Sequence, residues 1–427
     1  MHLAQRFMRL NFRFALTAML LACAVQALAA DSTDSTAAAR ARRPASTTIE
    51  RVASFPGQLA YAPVKYTVLG LGYGGVYLTE SGTIAKLTSL VQSTGFLAVY
   101  SPRTGGGLKY ASNHFLSMPV YFQCWATTWF DLRQSYTLQW KQIKLGAGIE
   151  SGYTLRYRSL QSESFFGIGP ETRESDEVHY AAEDALFEIS LKRRINGHLH
   201  AALDIGVSNT SVYPSPGEEA DEDITRVYSD STLPGLREKV RLQGTELSIN
   251  YDDANHPGHP TAGRLGKFGA TIFTDVRDNR FSFWKLGLDL TQHIHLFNDR
   301  ILVLRGAGEM TQGLDEPEIP FYHLAELGSH STIRGFSRGR FRDNDLLLAS
   351  AEYRYPVWIP WAKVVDALVF VDGGQVTHDL FENTAIDEWQ FSYGGGFRFY
   401  GSETLIARTE IAFSSEGFQL YFTLNAP

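Results

Sequence analysis

Hydrophobic and polar residues alternate along most of this chain. From about Tyr66 onward successive positions switch sides, as where Trp284, Leu286, Leu288, Leu290, Ile294 and Leu296 oppose Lys285, Asp289, Thr291, His293 and His295. Gln292 is the polar intruder on the apolar side of that run. The pattern recurs with Leu347, Ala349, Ala351, Tyr353, Tyr355 and Val357 against Ser350, Glu352 and Arg354. It returns with Trp389, Phe391, Tyr393, Phe397 and Phe399 against Gln390, Ser392 and Arg398. A period of two sends neighbouring side chains to opposite faces of a strand, so these runs predict strands with one apolar and one polar face. Sandwich strands average roughly 5–6 residues, whereas these runs reach the ~9–11 that a tilted strand needs to cross a bilayer. The expected fold class is therefore all-β: a transmembrane antiparallel β-barrel with lipid on one face and water on the other.

The N-terminal stretch departs from this pattern. Arg6, Arg9 and Arg13 precede an apolar run from Phe14 to Val25 and a small-residue exit at Ala27-Leu28-Ala29, so residues 1–29 predict a secretory signal peptide. That run falls short of the ~20 apolar residues of a spanning helix. Leu20-Leu21-Ala22-Cys23 leaves open a second processing route in which Cys23 becomes lipidated. Residues 30–60 are rich in Ser, Thr, Ala and Arg without periodic apolar positions, and predict a flexible periplasmic lead-in. Residues 61–427 form the expected barrel domain. Its longest apolar run is only Ala367 to Val371, so any membrane crossing must use strands.

Composition narrows the functional classes. A net charge of -7 and the lack of a basic block beyond Arg40 to Arg43 argue against nucleic acid as a partner. With 2 cysteines, one of them Cys23, no disulfide framework is expected. An aromatic content of 13% suits a membrane wall with aromatic girdles. No nucleophile elbow, phosphate loop or zinc-helix motif occurs, so neither catalysis nor a cofactor is expected. His256 and His259 lie in a turn, and His293 and His295 share one strand face. No spacing fixes a third ligand for either pair, so no metal site is expected. The acidic connections Gly167 to Val178 and Tyr213 to Pro234 either solvate the rim or offer oxygen ligands to divalent cations.

The densest signal is GSHSTIRGFSRGR, Gly328 to Arg340, followed by ASAEYRYPVW and then VFVDGGQV. In this order and spacing the segments resemble the BamA/TamA-type bacterial surface antigen family. FFGIGPET from Phe165, LPGL from Leu233 and YDDANHPGHPTAG from Tyr251 extend the likeness over residues 60–427. The resemblance implies an outer-membrane barrel of sixteen strands whose Arg-Gly-Phe loop folds inward against acids on the following strands. Roughly fourteen or eighteen strands would fit the length as well. Relatives carry periplasmic POTRA modules, for which residues 30–60 leave no room.

Within that frame the residues acquire roles. Arg334 presents a planar fork of donors that keeps its charge, so it can pin a loop. Gly335 allows tight backbone, and the Phe336 ring can wedge against a wall. Glu352 falls on the polar parity of its run, while Asp372 is a partner of Arg334 by resemblance. Arg338, Arg340 and Arg342 either line the lumen or match its acids. Phe418, Leu420 and Phe422 alternate along a last strand, and the resemblance implies a seam between it and a first strand near Tyr66 to Leu78. The implied function is insertion or translocation of proteins or lipids at the bacterial outer membrane, the alternative being a structural barrel or small-solute pore without a protein client. The implied partners are outer-membrane lipids and lipopolysaccharide, with a separate periplasmic module or client protein.

Overall fold

The structure, a computed structural model, describes residues 95–424 except 102, 114, 116–119, 130–132, 217–222, 278–279, 315–317, 359–363, 383–387 and 401–404. All of them belong to the compact unit Pro63–Pro427. The expected signal peptide, Cys23 lipidation, lead-in and Tyr66 to Leu78 strand lie outside the described residues.

Alternation translates into strands almost everywhere. In chain order they are β1 (Phe96–Ser101), β2 (Gly105–Ser112), β3 (Tyr121–Thr128), β4 (Gln134–Gly146), β5 (Ile149–Phe165), β6 (Val178–Arg194), β7 (Leu199–Pro214), β8 (Val240–Asp252) and β9 (Gly263–Asp275). There follow β10 (Phe283–His295), β11 (Ile301–Gly313), β12 (Ala325–Leu327), β13 (Phe341–Asp343), β14 (Asp345–Trp358), β15 (Val364–Thr377), β16 (Gln390–Tyr400), β17 (Leu405–Ser414) and β18 (Gly417–Leu424). Sixteen of these join one sheet in sequence order, β1 to β11 and then β14 to β18, while β12 and β13 pair separately. Each neighbour is antiparallel, the pairing that direct hairpin connections such as β9–β10 and β14–β15 give.

The closed transmembrane barrel expected above is not what these strands form. β1 and β18 end the strand order, and among the described residues no ladder joins them, so the sheet is open. The functional expectation built on a closed wall, an integral barrel or pore with an enclosed lumen, is corrected with it. The physical reason is that alternation fixes which face each side chain takes, whereas closure depends on whether the two end strands meet in register.

One face of the sheet is an apolar band. Leu247, Ile272, Val369 and Tyr393 are 53%, 54%, 57% and 63% exposed although they sit on four different strands. Among the described residues no helix is long and apolar enough to cross a membrane. The polar face is covered by the segment between β11 and β14, which carries β12, β13 and a single turn at Phe321–His323. Phe321 and Leu324 of this insertion pack with Phe165, Tyr180, Val212, Leu233 and Leu236, drawn from β5, β6, β7 and the β7–β8 connection. Ile333, Phe336 and Phe341 pack instead on Leu346, Leu348 and Val376 of β14 and β15. One insertion therefore touches strands far apart in the sheet order, which requires the sheet to curl around it.

His323 sits within this covering layer, its ring 5.1 Å from Phe273, 5.2 Å from Phe283 and 5.3 Å from Tyr322. Burial, followed by the nearby Lys285 cation, pushes its pKa down to about 3. The unfolded chain protonates this histidine near its ordinary value of ~6.5, whereas the folded chain does not until far lower pH. His323 should therefore cost stability as pH falls from about 6.5 toward 3 and nothing above that window. Unfolding midpoints of the detergent-solubilised protein across this range should fall more gently in His323→Phe; parallel pH profiles would refute the assignment.

Candidate functional site

The arginine loop lies on the polar face over β14 to β17. Arg334 reaches it between Ile333 and Phe336, two apolar side chains that anchor the loop in the cluster on β14 and β15. Glu352 and Asp372 stand on that face because they share the inward parity of β14 and β15 with Ser350 and Phe370. The structure thus brings Arg334, Glu352 and Asp372 together.

The contacts use most of the fork. Arg334 Nε donates to Asp372 Oδ2 at 2.8 Å and Nη2 to Oδ1 at 2.8 Å, a bidentate pair. Nη1 donates to Glu352 Oε2 at 2.8 Å, and the backbone N–H adds a 3.2 Å bond to Asp372. Ser350 Oγ steadies Asp372 Oδ1 at 2.6 Å. Beneath the guanidinium lies the Phe370 ring, its centroid 3.4 Å from Cζ, in a cation–π stack. Burial alone would lower the pKa of Arg334, but the hydrogen bonds and charge of Asp372, then the charges of Glu352 and Glu410, overcome it and raise the pKa.

The set is larger than the sequence reading proposed. Glu410 on β17 lies 3.5 Å from Arg334 Nη1, an ion-pair distance although its Oε2 lacks a hydrogen bond of good geometry. Arg398 on β16 bonds both Glu352 and Glu410, at 2.8 and 2.9 Å. Arg354 bonds Glu352 from the next inward position of β14. Three guanidiniums thus face three carboxylates, and the network is neutral as a whole. Arg398 already stood on the polar parity of its run and Phe370 lies within VFVDGGQV, although no contact with the loop was expected of either, while Glu410 lay in no motif.

Gly335 shows why the loop tip needs glycine. A Cβ there would stand 2.7 Å from the Phe413 carbonyl oxygen, 2.7 Å from Ser392 Cβ and 2.8 Å from Ser414 Cβ. The tip therefore rests directly on β16 and β17. Phe336 is 1% exposed and meets Phe341 edge to face at 5.2 Å. Of the following arginines, Arg340 pairs with Glu416 and Arg342 with Glu326, while Arg338 is exposed.

The remaining candidates separate from this cluster. Phe418, Leu420 and Phe422 line the apolar face of β18, 60%, 68% and 58% exposed. His256 Nδ1 accepts backbone N–H bonds from Gly258 and His259, a turn role, and His259 contacts buried Asp366 at 2.7 Å. Among the described residues no group of three or more potential ligands could hold a metal ion. The acidic connection from Gly167 contributes Thr172 to the loop contacts, whereas the GEEADED stretch falls partly outside the described residues.

Comparison with known proteins is consistent with this arrangement. A sequence model described as the Omp85 superfamily domain matches residues 109–417. A solved structure of BamA from Haemophilus ducreyi lacking POTRA domains 1–3 has a TM-score of 0.58 and 15% identity, over 77% of this chain and 70% of that one. CdiB from Escherichia coli has a TM-score of 0.50 and 11% identity, over 77% of this chain and 61% of that one. This chain therefore spans less than two thirds of the CdiB chain, and at these identities the likeness is one of fold.

Removing the guanidinium should leave Asp372, Glu352 and Glu410 close together without their counter-charge. Arg334→Ala should cost roughly 3–5 kcal/mol, and Arg334→Lys should recover part of it, since an ammonium cannot fork. Gly335→Val should lift the loop tip through the contacts above. Equilibrium unfolding in detergent, followed by tryptophan fluorescence, checks all three; a wild-type midpoint for Arg334→Ala would show that the cluster does not hold the loop.

Proposed function

This chain belongs to the Omp85 superfamily, and on that premise we propose that it is an open-sheet domain whose terminal strand β18 accepts an extended segment of a partner polypeptide by edge pairing. It resides in the bacterial outer membrane and shares the superfamily's membrane-associated, insertion-related and non-catalytic character. The single observation that carries the proposal is the position of β18, last in the strand order and paired only with β17 among the described residues. Such a strand presents backbone donors and acceptors along one side, the template on which a further strand can add. Phe418, Leu420 and Phe422 extend the apolar face to that edge, so a paired segment of matching alternation would continue it.

In this reading the apolar band faces outer-membrane lipid, with lipopolysaccharide at its outer margin. The paired segment comes from a client protein or from a separately encoded periplasmic module. The cluster of Arg334, Asp372 and Glu352, with Gly335 and Phe336 at the tip, serves as a lock that holds the insertion on β14 to β17 and so keeps the neighbouring edge in a fixed shape. The lock is supported by the bidentate pair and by the close approach of Gly335 to β16 and β17.

Photo-crosslinking residues placed singly at Phe418, Leu420 and Phe422 in intact cells test the pairing, with Leu247 and Ile272 on central strands as controls. Polypeptide adducts in trans at β18, with only lipid adducts at the controls, are expected. Lipid adducts alone at β18, or adducts confined to the same chain, would sink the reading.

A further inference from the structure

Arg340 is 1% exposed, yet it is a full charge in a connecting segment. A guanidinium in that position must find acceptors for its N–H groups or unfold the segment. Nε lies 2.9 Å from each carboxylate oxygen of Glu416, and Nη2 is 2.7 Å from Oε1. Nη1 donates to Thr172 Oγ1 at 2.9 Å, and Nη2 donates to the Thr172 carbonyl oxygen at 2.6 Å. The rings of Phe166 and Phe341 stand 4.9 and 4.5 Å from its Cζ.

The partners come from connections at distant positions in the strand order. Thr172 lies in the connection between β5 and β6, and Glu416 lies in the turn between β17 and β18. Among the described residues no ladder joins those strand pairs, so they are linked either the long way round the sheet or through the insertion. A backbone bond from Gly169 N–H to the Arg342 carbonyl, 2.7 Å, docks the β5–β6 connection beside Arg340. On the other side the insertion holds the last hairpin by three further bonds. Ser414 Oγ donates to the Gly335 carbonyl at 2.8 Å, Gln419 Nε2 to Ser337 Oγ at 3.3 Å, and Tyr421 O–H to the Phe336 carbonyl at 3.3 Å.

We propose that Arg340 is the positioning residue of the terminal edge: it ties the β17–β18 turn to the β5–β6 connection and thereby sets where β18 is presented for pairing. This deepens the reading of β18 given above and rests on it. Among the described residues β18 has a ladder on one side only, and the end of such a hairpin frays unless something fixes its turn. A fork is needed because the two acceptors lie on different segments and must be met at once, which a lysine ammonium on a flexible stem does poorly. Release of this tie would loosen the β17–β18 turn, leaving in place the three further bonds and the contacts of Arg334 with β14, β15 and β17.

Amide hydrogen exchange of the full chain in detergent, read by mass spectrometry, tests the tie in Arg340→Lys and Glu416→Gln, two variants that preserve size. Exchange in residues 415–424 should rise about tenfold in both, while residues 345–377 remain as in wild type. The double variant should add little to either single one, because both remove the same contact. Unchanged exchange of residues 415–424 in both variants, or an equal rise throughout residues 345–424, would overturn the assignment. Crosslinking from Leu420 in Arg340→Lys separates the two ideas. If wild type forms trans adducts and exchange does not respond, the tie fails and the pairing stands; if exchange responds and no adducts form in any variant, the pairing fails and the tie stands.

Discussion

A buried guanidinium governs this structure. Arg334 is 6% exposed, and Asp372 and Glu410 beside it are each 1% exposed. Carboxylates that close repel one another and lose their hydration, so neither the loop without the acids nor the acids without the loop is a favourable arrangement. Arg354 and Arg398 complete the balance, leaving three positive and three negative groups in mutual contact. The insertion and strands β14 to β17 thus share one charge network that spans four strands.

That dependence explains the placement of apolar residues that would otherwise contradict the pattern. Leu346 and Leu348 occupy the inward parity of β14, where a water-facing surface would call for polar groups. They are covered by Ile333, Phe336 and Phe341 of the insertion. Charge thus fixes the loop near the middle of β14, and apolar packing seals it nearer the start of the strand. The same division appears in β15, where Phe370 and Asp372 serve the guanidinium while Val376 joins the apolar cluster. The outward parity carries exposed apolar side chains on β8, β9, β11 and β15 to β18, as an outer-membrane location requires.

Openness of the sheet and curling of the sheet are separate properties here. Curling comes from an insertion that packs on β5, β6 and β7 at one end and on β14 to β18 at the other. Pairing of β1 with β18 plays no part in it among the described residues. A hydrogen-bonded ladder and a packed plug are alternative means of bending the same strands, and among the described residues the second is what the structure shows. Among the described residues the end strand is paired on one side while the polar face stays covered.

The sequence alone determined the strands and their faces, since side-chain direction in a strand follows from local backbone geometry. Ser350, Glu352 and Arg354 could be assigned to one face of β14 without knowing any partner, and Ser392 and Arg398 likewise on β16. The motif around Arg334 pointed to the loop through resemblance. Tertiary structure alone decided what lies across from what: Glu410 and Phe370 at the guanidinium, Thr172 and Glu416 at Arg340, and, among the described residues, the absence of a ladder between β1 and β18. These depend on the meeting of segments far apart in the chain, and no local period encodes such a meeting. Closure in particular is a relation between two chain ends, so a pattern that repeats identically in every strand carries no information about it.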